Sequence, residues 1–210
     1  MSMQTIRKVL WFALFILPSS PCLRAKGVAP PSALTISVFN DAKIPADAMA
    51  SAEATAARIF RLAGVEVRWI LCTPSADPAP TAAACSEAAF PSHLHIRILP
   101  RSRNLTSSTV GVSYLSADGT GCYSDIFVAR IMNLHSSSGQ DIGAILGHVM
   151  AHEIAHLLLG MTSHSSFGIM RAQWQKEELL KASKGELLFS DDESQLMRQR
   201  LSVARQAVGD

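Results

Sequence analysis

Apolar and polar positions alternate through Ala33-Leu34-Thr35-Ile36-Ser37-Val38-Phe39, which predicts a β-strand with one face turned to a core. From Ala46 to Leu62 the period lengthens. Met49, Ala56, Ile59, Phe60 and Ala63 recur at helical spacing in an Ala-rich run that Gly64 ends. Val65 to Leu71 is β-branched and aromatic, a second strand. His93-Leu94-His95-Ile96-Arg97-Ile98-Leu99 alternates strictly before Pro100, a third. Val110 to Leu115 gives a short fourth, closed by the turn residues Asp118-Gly119-Thr120-Gly121. Ser124 to Met132, with Ile126, Val128 and Ile131, reads as a fifth strand running into a short loop. A long helix is then expected from about Ser138, which would cap it with Asp141 in a capping-box arrangement, to Leu159, where Gly160 stops it. Two further helices are expected, about Ala172 to Leu188 and Asp191 to Val208. The order β-α-β-β-β-β-α-loop-α-α describes one α+β domain.

The start of the chain follows a different pattern. The apolar block Val9 to Leu17 is shorter than the about 20 residues a bilayer-spanning helix needs. Arg7 and Lys8 precede it and Pro18-Ser19-Ser20-Pro21 follows, as in a secretory signal peptide. Residues 1–25 are therefore expected to be removed after Ala25, leaving a domain over 26–210 that is secreted or periplasmic, without stable membrane insertion; an uncleaved N-terminal anchor is the alternative.

With 48% hydrophobic and 17% charged residues in 210, the chain can bury a substantial core, which excludes a largely disordered protein. Losing Arg7, Lys8 and Arg24 with the signal takes 19 basic residues to 16, against 17 acidic ones. No basic face is implied, so nucleic acid is not an expected partner. Export also changes how the cysteines read. Cys72 and Cys85 bracket a loop rich in Pro and Ala, and in an oxidising compartment they are expected to form a disulfide contributing about 3 kcal/mol. Cys22 leaves with the signal, and Cys122 is expected to be a small buried residue.

The chemistry concentrates in His152-Glu153-Ile154-Ala155-His156 within the long helix. Two histidines four residues apart share a helical face, so both imidazoles can hold one metal ion. Glu153, beside the first, can reach a water on that ion without being a ligand. This is the arrangement of metal-assisted hydrolysis, in which zinc brings the water's pKa to about 7 and the carboxylate takes its proton. A catalytic zinc needs a third protein ligand and an open fourth position.

The next residues are Gly160-Met161-Thr162-Ser163-His164-Ser165-Ser166-Phe167-Gly168-Ile169-Met170. Here the chain resembles the metzincin zinc peptidases, whose motif HExxHxxGxxH precedes a Met-turn. His164-Ser165 followed by Gly168-Ile169-Met170 is similar to the matrixin ending. The spacing departs from the family's, since Gly160 and His164 stand four and eight residues after His156 rather than three and six. The HExxH-LLLG-xxSH-xxxGIM pattern is also similar to that of a group of secreted bacterial proteins.

The resemblance implies Zn²⁺ bound by His152, His156 and His164, Glu153 as general base, and Met170 as the apolar floor. It implies a metzincin-like catalytic domain with a mixed five-stranded twisted sheet, an active-site helix, the Met-turn and C-terminal helices. It also implies that an extended peptide adds to the edge strand Val110–Leu115. The function implied is a secreted zinc endopeptidase, a monomeric hydrolase of peptide or protein substrates. Alternatives are a catalytically silent zinc- or peptide-binding envelope module, or a zinc amidase acting on cell-wall peptides. Matrixins carry a propeptide with a metal-capping Cys, and the about seven residues between Ala25 and the first strand leave no room for one.

Rival residues are assigned simpler roles. Glu177 or Glu178 could replace His164 as third ligand, but both are read as a solvated helix face pairing with Lys181. His148, one turn before His152, is expected to pack or to support a ligand. His93 and His95 share a strand face toward solvent or a loop, and His135 is placed in a loop. Tyr114 and Tyr123 could donate to an oxyanion, but no such donor is assigned. Asn104-Leu105-Thr106 fits a glycosylation sequon.

Overall fold

Leu34, Ile36 and Val38 are fully buried on β1 (Leu34–Asn40), which runs through the middle of the sheet. The computed structural model describes residues 33–72, 85–102 and 109–209, so the expected signal peptide and the sequon at Asn104 lie outside the described residues. Strands β2 (Val67–Cys72) and β3 (His93–Leu99) flank β1 in parallel, and β5 (Tyr123–Phe127) pairs parallel to β3. Only β4 (Gly111–Tyr114) runs antiparallel, at the edge beside β5, giving the order β2-β1-β3-β5-β4. The result is the mixed five-stranded sheet of an α+β fold.

One sheet face is covered by helices. Helix α1 (Ala46–Leu62) turns Met49, Ala52, Ala56, Ile59 and Phe60 inward. Helix α3 (Ile142–Leu159) is long and apolar enough to span a bilayer, yet 89% of it is buried inside the protein, which marks it as a core helix. The two pack closely because small residues meet. A Cβ on Gly147 would lie 2.5 Å from the Ala52 carbonyl oxygen, and one on Gly143 would lie 2.7 Å from Ser51 Cβ. The Ala-rich composition of α1 thus serves close helix approach. Two C-terminal helices, α4 (Lys176–Lys184) and α5 (Asp191–Gly209), complete the layer.

Four expectations are corrected. Val128 to Met132 is not strand: β5 ends at Phe127 and helix α2 (Val128–Ser138) follows directly. Ile131 and Leu134 are its buried positions, three residues apart, and three apolar residues in so short a stretch fit either period. Ser138 does not start the long helix. Its hydroxyl donates back to the Leu134 carbonyl, Gly139 takes a left-handed turn, and Asp141 is the N-cap, accepting from the Ala144 N–H at 2.8 Å. His135 accordingly lies on α2, where Nδ1 donates to the Gln140 carbonyl. Helix α4 is also shorter than expected, because Gly185 at φ 72° ends it.

Helix C-termini share a device. Arg58 donates to the Gly185 carbonyl at 2.9 Å, Arg198 to Ala63 at 2.7 Å, and Arg200 to Leu159 at 2.5 Å. Each guanidinium meets carbonyls that a helix end leaves unpaired, and its charge suits the negative end of the dipole.

The other sheet face carries polar residues. Of the two surroundings expected for His95, solvent or a loop, the structure gives the loop: the ring is buried and Nε2 donates to the Glu87 carbonyl at 2.8 Å, so the segment after Cys85 lies against it. His93 Nε2 is 2.7 Å from Ser37 Oγ. The Cys72–Cys85 disulfide is formed, with Cα atoms 5.7 Å apart, and ties that segment to the end of β2. Cys122 is a half-buried free thiol whose sulfur accepts from the Phe90 N–H at 3.1 Å.

Candidate metal centre

His152 and His156 lie one turn apart near the C-terminal end of α3, both buried, with Nε2 atoms 3.1 Å from each other. Their orientation is fixed from behind. His152 Nδ1 is 2.7 Å from the Ile169 carbonyl oxygen, and His156 Nδ1 is 2.8 Å from that of Met161. A carbonyl can only accept, so both rings carry their proton on Nδ1 and turn a bare Nε2 lone pair toward the other. Burial drives both imidazoles toward the neutral form, with His152 down to about 3, where the neighbouring His156 adds to the effect. Two facing lone pairs without a proton between them repel, and a cation placed between them removes that repulsion. Tetrahedral coordination at about 2.0–2.1 Å would set such nitrogens about 3.3 Å apart.

His164 completes the group. Its ring centroid lies 5.3 Å from that of His152 and 4.9 Å from that of His156. The three ligand atoms all fall within 4.8 Å of one another, and these residues form a set that could hold a metal ion. The longer spacing after His156 is accommodated by the turn. Gly160 adopts φ 66°, in the left-handed region that favours glycine, and its N–H and that of Met161 both close on the His156 carbonyl. Beyond His164, the Ser165 N–H donates to the Met170 carbonyl at 2.9 Å, and the Ser165 hydroxyl donates to Glu193 on α5. The Ile169 N–H donates to Leu188 at 3.1 Å. Met170 is itself buried in the core, one residue from the carbonyl that anchors His152.

Glu153 points to β4. Its Oε2 accepts from the Ser113 hydroxyl at 2.7 Å, and that hydroxyl also lies 2.8 Å from the Glu153 carbonyl oxygen and 2.9 Å from Ser124 Oγ. Gly111 leaves the space the carboxyl fills, since a Cβ there would lie 2.6 Å from Glu153 Oε1. Burial pushes the Glu153 carboxyl up to about 7, against the opposing pull of the Ser113 hydrogen bond.

No protein-family model matches the chain, and no curated protein sequence matches it. Solved structures do. An archaemetzincin from Methanopyrus kandleri superposes with TM-score 0.53 at 14% identity, over 83% of this chain and 99% of that one. A zinc-dependent peptidase from Methanocorpusculum labreanum gives 0.50 at 15%, over 77% and 99%. Metalloproteinase-II from Bacteroides fragilis gives 0.50 at 11%, over 81% of this chain and 54% of that one. The fold is metallopeptidase-like. At these identities the likeness speaks for the fold and not for individual residues.

Within this metallopeptidase-like fold the rival residues stand elsewhere. Glu177 pairs with Lys181 at 2.8 Å, as expected of a solvated face. Glu178 does not: it is buried, bonds Arg171 at 2.5 Å and accepts from the Gln175 N–H at 2.9 Å, closing the capping box of α4. His148 packs, its Nδ1 bonded to Ala144 at 2.8 Å and its ring edge-on to Trp174. Tyr114 is exposed, with its hydroxyl donating to Asp125.

Three residues of the site escaped the sequence reading. Trp174 Nε1 donates at 3.1 Å to the same Ile169 carbonyl that orients His152. Nothing in one sequence marks a Trp for that. Ser113 is equally anonymous. Gly111 carried a signal, because a glycine inside a strand often marks a close approach.

Proposed function

We propose that this chain is an exported zinc-dependent endopeptidase. The carrying observation is the convergence of His152, His156 and His164, with Nε2 atoms of the first two 3.1 Å apart, beside the buried carboxylate of Glu153. In this reading the three imidazoles hold Zn²⁺, which suits nitrogen donors in a three-ligand set with one open position. Bound zinc would supply Lewis acidity, polarising the scissile carbonyl and acidifying the attacking water. Glu153 accepts the proton of that water and passes it to the departing amine, whose protonation lets the peptide bond break. Ser113 holds the carboxylate in one orientation, which preserves its reach through both transfers. Met170 closes the apolar floor.

Substrate recognition follows from the sheet. β4 is an edge strand directly beside Glu153, so an extended peptide can bond to its backbone while its own carbonyl lies at the site. Such pairing is tolerant of sequence. Two of the solved neighbours are a zinc-dependent peptidase and a metalloproteinase, which supports the same class of reaction here. A silent binding module is a poorer fit: a structural zinc is closed by four protein ligands, whereas the group among the described residues has three. Export rests on the charged and apolar start of the chain, and the Cys72–Cys85 disulfide suits an oxidising compartment.

The test uses an unstructured protein such as casein. A strong chelator should abolish cleavage and added zinc restore it; cleavage that persists without metal defeats the proposal. Glu153→Ala should keep its zinc by elemental analysis while losing about 10²–10⁴-fold or more in rate.

A further inference from the structure

Beside His152 the surface opens into a cleft lined by Val110, Arg130, Leu134, Arg171 and Trp174. Through Arg130, Leu134 and Trp174 it continues into a cavity of about 530 Å³, bounded further on by Lys176 and Leu179. That volume falls within the about 300–1,000 Å³ typical of sites that enclose small ligands. The walls are asymmetric in charge. Arg130 from α2, Arg171 from the turn after Met170 and Lys176 at the start of α4 line the two spaces, and among the described residues no Asp or Glu does.

The three cations are not equally satisfied. Arg171 is bonded to Glu178. Among the described residues Arg130 Nε is buried without a hydrogen-bond partner and Lys176 has no ion pair. A buried guanidinium N–H without an acceptor is unfavourable, and the planar fork of Arg matches a carboxylate better than any other common anion of peptides. Trp174, Leu134 and Leu179 supply apolar surface for the methylenes that would carry it.

We propose that this cavity receives a carboxylate of the substrate, so that cleavage falls at a fixed distance from an acidic group. The inference rests on the peptidase reading and narrows it to acidic peptides. Two sources share the chemistry, an internal Asp or Glu side chain and the free C-terminal carboxylate of a short peptide.

Peptides differing only by Glu against Gln at each position near the cut, each made with a free and an amidated C-terminus, separate them. The zinc-loaded protein should favour one charged member by about tenfold or more in kcat/KM. Dependence on Glu assigns a side-chain pocket, and dependence on the free terminus assigns a terminal one. Equal rates for all members overturn the proposal. In Lys176→Glu the charged-to-neutral ratio should fall toward one. This change is exposed and puts a negative charge where a helix N-terminus tolerates it, so folding is not at stake. Arg130→Gln should do the same, and a ratio unmoved in both variants overturns the proposal. Binding of the same peptides to Glu153→Ala protein, read by calorimetry, keeps the two readings apart. A carboxylate preference in binding without wild-type cleavage upholds the cavity and defeats the peptidase; cleavage without preference does the reverse.

Discussion

His152 and His156 are 4% and 5% exposed on α3, each with Nδ1 committed to a carbonyl, whereas His164 stands exposed on the loop beyond, with no such anchor among the described residues. The helix sets the first pair by its own geometry, since residues four apart share a face whatever surrounds them. The loop has no comparable rule. His164 arrives because Gly160 turns the chain, Arg200 clamps the end of α3 to the Gly119 carbonyl, and Ser165 ties down the far side. A site built this way has a rigid half and an assembled half. The rigid half depends on local sequence, and the assembled half depends on residues from distant parts of the chain.

The sharpest way to break that contrast is to delete a ligand from each half. His156→Ala and His164→Ala should each weaken zinc binding by more than about 100-fold, beyond the about 10–100-fold usual for a lost supporting partner. Elemental analysis against a competing chelator measures it, and full occupancy in His164→Ala would show that another donor completes the set. The metal-free proteins should differ as well: His156→Ala lowers Tm by opening a buried space, while His164→Ala leaves it in place.

The contact between α3 and β4 comes next. Gly111→Ala forces the Glu153 carboxyl to move, because the new Cβ would lie 2.6 Å from Oε1. Misplacing a reacting group by about an ångström costs about 100-fold, so kcat should fall by that order with zinc content unchanged. A rate equal to the parent's would mean the carboxyl has room that the structure does not show. Arg200→Ala removes a charged donor from the Leu159 and Gly119 carbonyls and should cost about 2 kcal/mol by urea denaturation. Its zinc affinity should also drop if the clamp positions His164. The smallest change is Trp174→Phe, which deletes one hydrogen bond to the Ile169 carbonyl. Zinc affinity should fall about tenfold with little loss of fold stability.

Legibility of the fold followed burial period. Helix α1 and strand β3 stand at the limits their patterns predict, because α1 turns one apolar face inward, β3 carries Leu94, Ile96 and Ile98 in strict alternation toward the core, and Gly64 and Pro100 follow as stops. The fifth strand and the start of α3 were misplaced. Val128, Ile131 and Leu134 fit a helix, but Ile126 and Val128 fit a strand, and only packing against α3 decides which period holds. Ser138 and Asp141 are both good caps by composition, and the left-handed turn at Gly139 selects the second. Glu178 misled for a related reason: beside Glu177 and Lys181 it looks solvated, while its actual partner Arg171 comes from the turn before α4.

Sequence alone determined the two helical histidines, the carboxylate between them and the cysteine pair around one loop, because these depend on spacings of a few residues. Tertiary structure decided the rest. The approach of His164, the space that Gly111 opens for Glu153, the arginines on distant helix ends and the unbalanced charge of the cavity all join residues far apart in the chain. No periodicity encodes such pairs, since they exist only once the sheet and α3 have fixed where each segment meets the others.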